Sequence, residues 1–146
     1  MGCSNPHPHG QIWTTTGTPE EAGLELAQLQ KYRREQGGAY MLEDYAALEM
    51  EKEERVVFAN EAFVAMCPWW ATWPFEVLIV ARKHRRALVD FDGREREMLA
   101  EAIAEVTRRY DNLFETHFPY SKSCLCPCRQ EVSEFISRHG TSPSTA

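Results

Sequence analysis

Arg55 to Lys83 reads RVVFANEAFVAMCPWWATWPFEVLIVARK, and the architecture of the chain turns on this stretch. Three short runs, RVVFAN, AFVAMCPWW and PFEVLIVARK, are rich in valine, phenylalanine and tryptophan, residues that fit a pleated, half-buried surface. Asn60, Pro68 and Pro74 punctuate them. The runs are too short for helices and too closely spaced for helical crossovers, so the spacing predicts strands that are antiparallel neighbours.

Helical patterns lie on both sides. Upstream, Thr18 is placed to cap a helix with Pro19 at its first position, Glu20 and Glu21 in the first turn and Gly37 as a stop. The predicted helix spans Pro19 to Gln36. A shorter one is expected from Met41 to Glu51, with Met41, Leu42, Tyr45 and Leu48 on one face and acids on the other. Downstream, Asp92 is placed to cap a long helix whose apolar stripe comprises Leu99, Ala102, Ile103, Val106, Tyr110, Leu113 and Phe114. Such a stripe has to pack on the sheet. The fold class expected is therefore α+β, an antiparallel sheet with helices packed on one face.

Bulk composition narrows the setting. With 146 residues, 43% of them hydrophobic and 11% aromatic, the chain is the size of one ordinary globular domain. Sixteen basic against 22 acidic residues give a formal charge of −6, which argues against a broad nucleic-acid footprint and suggests no membrane surface. A small polar substrate or a protein partner fits better. No apolar run is long enough to span a bilayer and no signal-peptide pattern opens the sequence, so the expected compartment is the cytosol. Five cysteines, three of them crowded at Cys124, Cys126 and Cys128, read as reduced thiols and not as a disulfide framework.

Chemistry concentrates at the start, where Met1 to Trp13 reads MGCSNPHPHGQIW. A residue that precedes proline is pushed out of the α region, so Asn5 and His7 are biased to extended backbone. Side chains alternate along an extended chain, which sends His7 and His9 to the same side. Pro6 and Pro8 lack N–H groups on one edge, marking a sheet border or the rim of a site, and Gly10 leaves room for a ligand near the backbone. Two imidazoles sharing one site could be two metal ligands, or one ligand and one nucleophile toward phosphorus; they could also be surface groups of a proline-rich arm. The residues alone leave these readings open.

The segments GCSNPHPHGQIW, WWATWPFEVLIVARKH and RYDNLFETHFPYS together resemble the galactose-1-phosphate uridylyltransferase family, of the histidine-triad-like superfamily, over residues 1–121. The resemblance is to the second half of that family's chains, and it implies an incomplete histidine-triad-like fold. It makes His9 the nucleophile that takes a uridylyl group from UDP-glucose and passes it to galactose 1-phosphate through a covalent uridylyl-histidine. It makes Gln11 a hydrogen-bond partner of the uridylyl phosphate, with Ser4 and Cys3 beside the same phosphate. His7 resembles a ligand of the family's zinc, and Glu25 a carboxylate ligand of a second metal, iron or zinc. The family is expected to dimerise.

The likeness stops at Ser121. Where the family continues into a segment of tryptophan and histidines, this sequence reads KSCLCPC, so residues 122–146 are expected to form a divergent, poorly ordered tail. Cys124, Cys126 and Cys128 could ligate zinc, although three cysteines without a second cluster are a weak signature. With the partners of His7 and Glu25 absent, weak and substoichiometric zinc is expected. The alternative to an enzyme is then a catalytically inactive fragment that at most associates with a full-length subunit. The basic run Arg82 to Arg86 reads either as a contact for an anionic sugar nucleotide or as a solvated loop. Trp69, Trp70 and Trp73 read as a stacking surface for a base, as core or as interface.

Overall fold

A computed structural model describes residues 17 and 19–115. The elements run α1 (Glu20–Glu35), α2 (Met41–Lys52), β1 (Val56–Ala59), β2 (Phe63–Met66), β3 (Leu78–Ala81), a short 3₁₀ turn (Leu88–Asp90) and α3 (Gly93–Phe114). The three strands form one antiparallel sheet in the order β1-β2-β3. This is the α+β arrangement expected from the sequence.

Local chemistry accounts for the elements. Pro19 stands just before α1, one position earlier in the cap than expected, and Glu20, Glu21, Arg33 and Arg34 complement the helix dipole at its two ends. The helix stops where Gly37 takes a φ of 63°, and the Gly38 N–H reaches back to the Arg33 carbonyl at 2.8 Å. That closure needs a left-handed residue, which glycine adopts without strain. For α3, the Asp92 side chain accepts from the Glu95 N–H at 2.8 Å and the Glu95 carboxylate accepts from the Asp92 N–H at 3.1 Å. The expected cap is present in its reciprocal form.

The hairpin between β1 and β2 is built by Asn60. Its Oδ1 accepts from the N–H groups of Ala62 and Phe63, and its Nδ2 donates to the Met98 carbonyl and the Glu101 carboxylate. One side chain therefore shapes the turn and fastens it to α3. β1 carries an irregularity between Val56 and Phe58, so Val56 faces Met66 while Phe58 faces Ala65.

The helices divide between the two faces of the sheet instead of sharing one. Val64, Met66 and Val80 pack with Ala46, Leu42 and Tyr45 of α2. On the opposite face Phe63 packs with Phe91 and with Ala102, Met98 and Leu99 of α3. The central strand is consequently buried at every residue, and its run of four apolar side chains, with no alternation, is what two covered faces require.

Two details of the helical faces differ from the expectation. On α2, Leu48 is 42% exposed, and the inward positions are taken by Ala46 and by Glu49, which has no exposed surface. On α3 the stripe outruns the sheet: Leu113 is exposed, and the Phe114 ring meets Phe75 edge-on at 5.0 Å. The tryptophan-rich stretch, expected to continue a strand, leaves the sheet after Met66 and forms the loop that returns to β3. Tyr110 and Phe75 join the far end of α3 to that loop through a hydrogen bond from the tyrosine hydroxyl to the Phe75 carbonyl.

Candidate functional site

Cys3, Ser4, His7, His9 and Gln11 lie outside the described residues, as do Cys124, Cys126 and Cys128. Of the residues singled out by resemblance, Glu25 alone is described. It is exposed on α1, beside an open hollow of about 460 Å³ that it lines with Glu21, Ala22, Leu24 and Gln28. A metal needs several converging donors. Among the described residues no group of three or more histidine, cysteine, aspartate or glutamate side chains could hold one. The described residues therefore do not form a metal centre at Glu25, and no chemical step is assigned to a metal here.

What the described residues do form is a corner in which the basic run Arg82 to Arg86 is tied into the fold. The Arg82 guanidinium donates to the Asn60 carbonyl at 3.2 Å. Arg85 pairs with Glu95 at 2.5 Å and also donates to the His84 carbonyl. The His84 backbone N–H donates to the Glu43 carboxylate, and its imidazole stacks on Tyr40 with ring centroids 3.8 Å apart and planes 8° from parallel. The Arg33 guanidinium lies 4.7 Å from the centre of the same tyrosine ring. So the loop after β3 joins α1, α2 and α3. Beside it, a hollow of about 180 Å³ is lined by Arg82, Lys83, Arg85, Arg94, Glu61 and Glu95 among others. Arg94 is held by Glu61 at 2.6 Å, as Arg85 is by Glu95, so both signs of charge meet there and the hollow has no single-sign field for an anion.

Electrostatics on the other face centre on Glu49. Its Oε1 accepts from Arg55 Nε at 2.8 Å, while Oε2 has no hydrogen bond of good geometry. Burial by itself would raise this carboxyl, but the Arg55 guanidinium and the Tyr45 hydroxyl outweigh it and hold Glu49 below the ordinary carboxylate value. Glu95 is held low mainly by Arg85 and by the Asp92 N–H. His84 lies below its ordinary 6.5 because burial disfavours the imidazolium; Glu43 opposes the shift, and Arg33, Arg86 and Arg85 add to it.

These shifts fix a pH dependence of stability. Each of the three groups binds protons less readily in the fold than in the unfolded chain, so each contribution is complete above the unfolded value and is lost as pH falls through the folded one. The His84 share should fade first, below about 6.5, and the shares of Glu49 and Glu95 below about 4.5. Urea midpoints measured from neutral to about pH 5 should fall, and His84→Gln should flatten that upper limb while leaving the more acidic limb in place. An unchanged upper limb in His84→Gln would contradict the assignment.

Glu49 and the Tyr40–His84 stack were not singled out by the sequence reading. Glu49 had one usable signal: it falls three and four positions after Ala46 and Tyr45, on the apolar face, with an arginine six residues later. Trp69 and Trp73 are 75% and 74% exposed, so they are not part of the core that the described residues form. Trp70 rests its ring on Tyr45 with centroids 4.7 Å apart.

A three-stranded antiparallel sheet covered on its two faces by α2 and α3 defines the class, an α+β domain. Residues 25–139 match the family model described as galactose-1-phosphate uridyl transferase, C-terminal domain. The chain belongs to that family. It is 64% identical over 137 residues to galactose-1-phosphate uridylyltransferase of Neurospora crassa, a match covering 92% of this chain and 35% of the relative. The enzyme of the same name from Hypocrea jecorina is 65% identical over 121 residues, 83% of this chain and 31% of the relative. That from Haemophilus influenzae is 43% identical over 121 residues, 83% of this chain and 34% of the relative. The chain thus spans about a third of the length of the curated relatives it matches. Among the described residues no helix is long and apolar enough to cross a membrane.

Proposed function

We propose that this chain is the nucleophile-bearing part of a galactose-1-phosphate uridylyltransferase, which moves a uridylyl group from UDP-glucose to galactose 1-phosphate. The observation that carries the reading is its 64% identity to the Neurospora crassa enzyme across 92% of the chain. In the first displacement, a ring nitrogen of His9 attacks the α-phosphorus of UDP-glucose; a P–N bond forms, the P–O bond to the β-phosphate breaks, and glucose 1-phosphate leaves. In the second, a phosphate oxygen of galactose 1-phosphate attacks the same phosphorus, the P–N bond breaks and UDP-galactose leaves. Covalent catalysis splits one transfer between two anions into two in-line steps on one acceptor. Gln11, Ser4 and Cys3 are assigned to hold the transferring phosphate, where fixed donors stabilise charge as it develops. His7 and Glu25 are each assigned as one ligand of a metal whose remaining ligands come from other polypeptide.

The chain by itself is expected to be inactive. Alignment of nucleotide and nucleophile and donors to the phosphoryl oxygens are each worth several kcal/mol, and losing about 5 kcal/mol of them slows a reaction by between three and four powers of ten. The test is a full-length chimera in which this chain replaces the matching third of the Neurospora crassa enzyme. The chimera should form UDP-galactose from UDP-glucose and galactose 1-phosphate while the chain alone does not. A folded chimera without activity would count against the proposal.

A further inference from the structure

The loop from Cys67 to Phe75 presents Trp69, Trp70 and Trp73 to solvent, with 75%, 49% and 74% of their surfaces exposed. Isolated exposed apolar residues are ordinary; three tryptophans within five positions, with no charged residue anywhere in the loop, are not. The loop is also fixed. Cys67 N–H donates to the Arg55 carbonyl at 2.9 Å and Trp69 N–H to the Tyr45 hydroxyl at 2.8 Å. Further along, the N–H groups of Thr72 and Trp73 both donate to Glu76 Oε2, at 3.0 and 3.3 Å. The acid that follows the loop is thereby turned onto the loop's own backbone. Arg55, anchored by buried Glu49, lies 5.0 Å below the centre of the Trp69 ring.

The loop stores strain as well. Phe75 has a φ of 63°, a left-handed conformation that a bulky side chain rarely takes and that persists only where surrounding structure imposes it. A chain held this firmly so that it can expose indole rings has the composition of the centre of a permanent interface, aromatic and charge-depleted, set out in advance of its partner.

We infer that Trp69, Trp70 and Trp73 are a docking surface for the portion of the uridylyltransferase polypeptide that the relatives carry outside this matched third, packed within the same subunit. The inference rests on family membership and not on the assignment of the nucleophile. Two observations select this occupant. The match is to a C-terminal domain, so the relatives hold other polypeptide to cover it, and this chain accounts for only 35% and 31% of two of them. The loop's own residues are also uncharged, which suits a partner tethered in the same chain, where association needs no electrostatic steering.

Hydroxyl-radical footprinting read by mass spectrometry tests this on the chain alone and on the full-length chimera. Trp69 and Trp73 should be heavily oxidised in the chain alone and protected in the chimera, with protection unchanged when the chimera is diluted until it is monomeric. Oxidation of both tryptophans in both proteins would overturn the inference. So would protection that disappears on dilution, or concentration-dependent protection in the chain alone, since either would make a second copy the occupant. A paired variant, Trp69→Ser with Trp73→Ser, should leave the helical circular dichroism of the chain unchanged and lower the thermal midpoint of the chimera; an unchanged midpoint would contradict the docking role. Protection in a chimera that lacks transferase activity would uphold this inference and count against the proposed function alone.

Discussion

Replacing His9 with glycine in the full-length chimera is expected to lower turnover by about five powers of ten or more, with little change in stability. Loss of a covalent nucleophile removes the intermediate through which both displacements pass, whereas loss of a group that merely positions substrate leaves the route intact. The size of the effect and the form of the kinetics together distinguish the two. Wild type should show ping-pong behaviour, with glucose 1-phosphate released before galactose 1-phosphate is needed. Gln11→Ala should keep that pattern and lose a smaller factor, of the order of 10² to 10³, the usual result of removing one donor to a developing oxyanion. A His9→Gly chimera within tenfold of wild type would show that the nucleophile lies elsewhere.

The second large effect concerns Glu49. Glu49→Ala should destabilise the chain by about 2 kcal/mol, because it removes the acceptor of Arg55 Nε beneath the Trp69 ring, leaving that guanidinium only the exposed Glu54 carboxylate at 3.3 Å, and opens a void beside Tyr45. For a domain whose whole stability is of the order of 5–15 kcal/mol, that is a serious loss. The account also predicts a rescue. Replacing both partners, Glu49→Leu with Arg55→Leu, should restore much of the stability, since a buried pair exchanged for packed apolar groups no longer carries a desolvation penalty. Urea titrations of the two single variants and the double variant form a cycle that measures the coupling. Additive losses in the double variant would mean that the pair contributes nothing as a pair.

Much of the scaffold was legible because single residues announced it. Asp92 with Glu95 specified the start of α3, Gly37 the end of α1, and Asn60 the turn that became the β1–β2 hairpin. What escaped was decided by tertiary burial. Phe63 to Met66 is apolar throughout, and that run already contained the second covered face, since a sheet with one wet face would alternate. Glu49 was hard to single out: α2 is rich in acids, and its place on the apolar face after Tyr45 and Ala46 was the one local mark of the acid that lies beneath Arg55. The tryptophans misled because bulky aromatics suit strands, while Pro68 and Pro74 pointed to the loop that forms. The His7–His9 motif stands out in the sequence through its alternation of proline and histidine, and it lies outside the described residues. Glu25, singled out by resemblance, is exposed, and its described neighbours supply no ligand set.

The central claim is most directly tested by trapping the intermediate. The chimera is mixed with UDP-glucose labelled in the α-phosphorus, with no galactose 1-phosphate present, and the protein is recovered under alkaline conditions that preserve a P–N bond. The account predicts nearly one label per active site on the peptide that contains His9, discharged on adding galactose 1-phosphate and absent from His9→Gly. Label on any other residue, or full turnover in a chimera that never carries label, would contradict it.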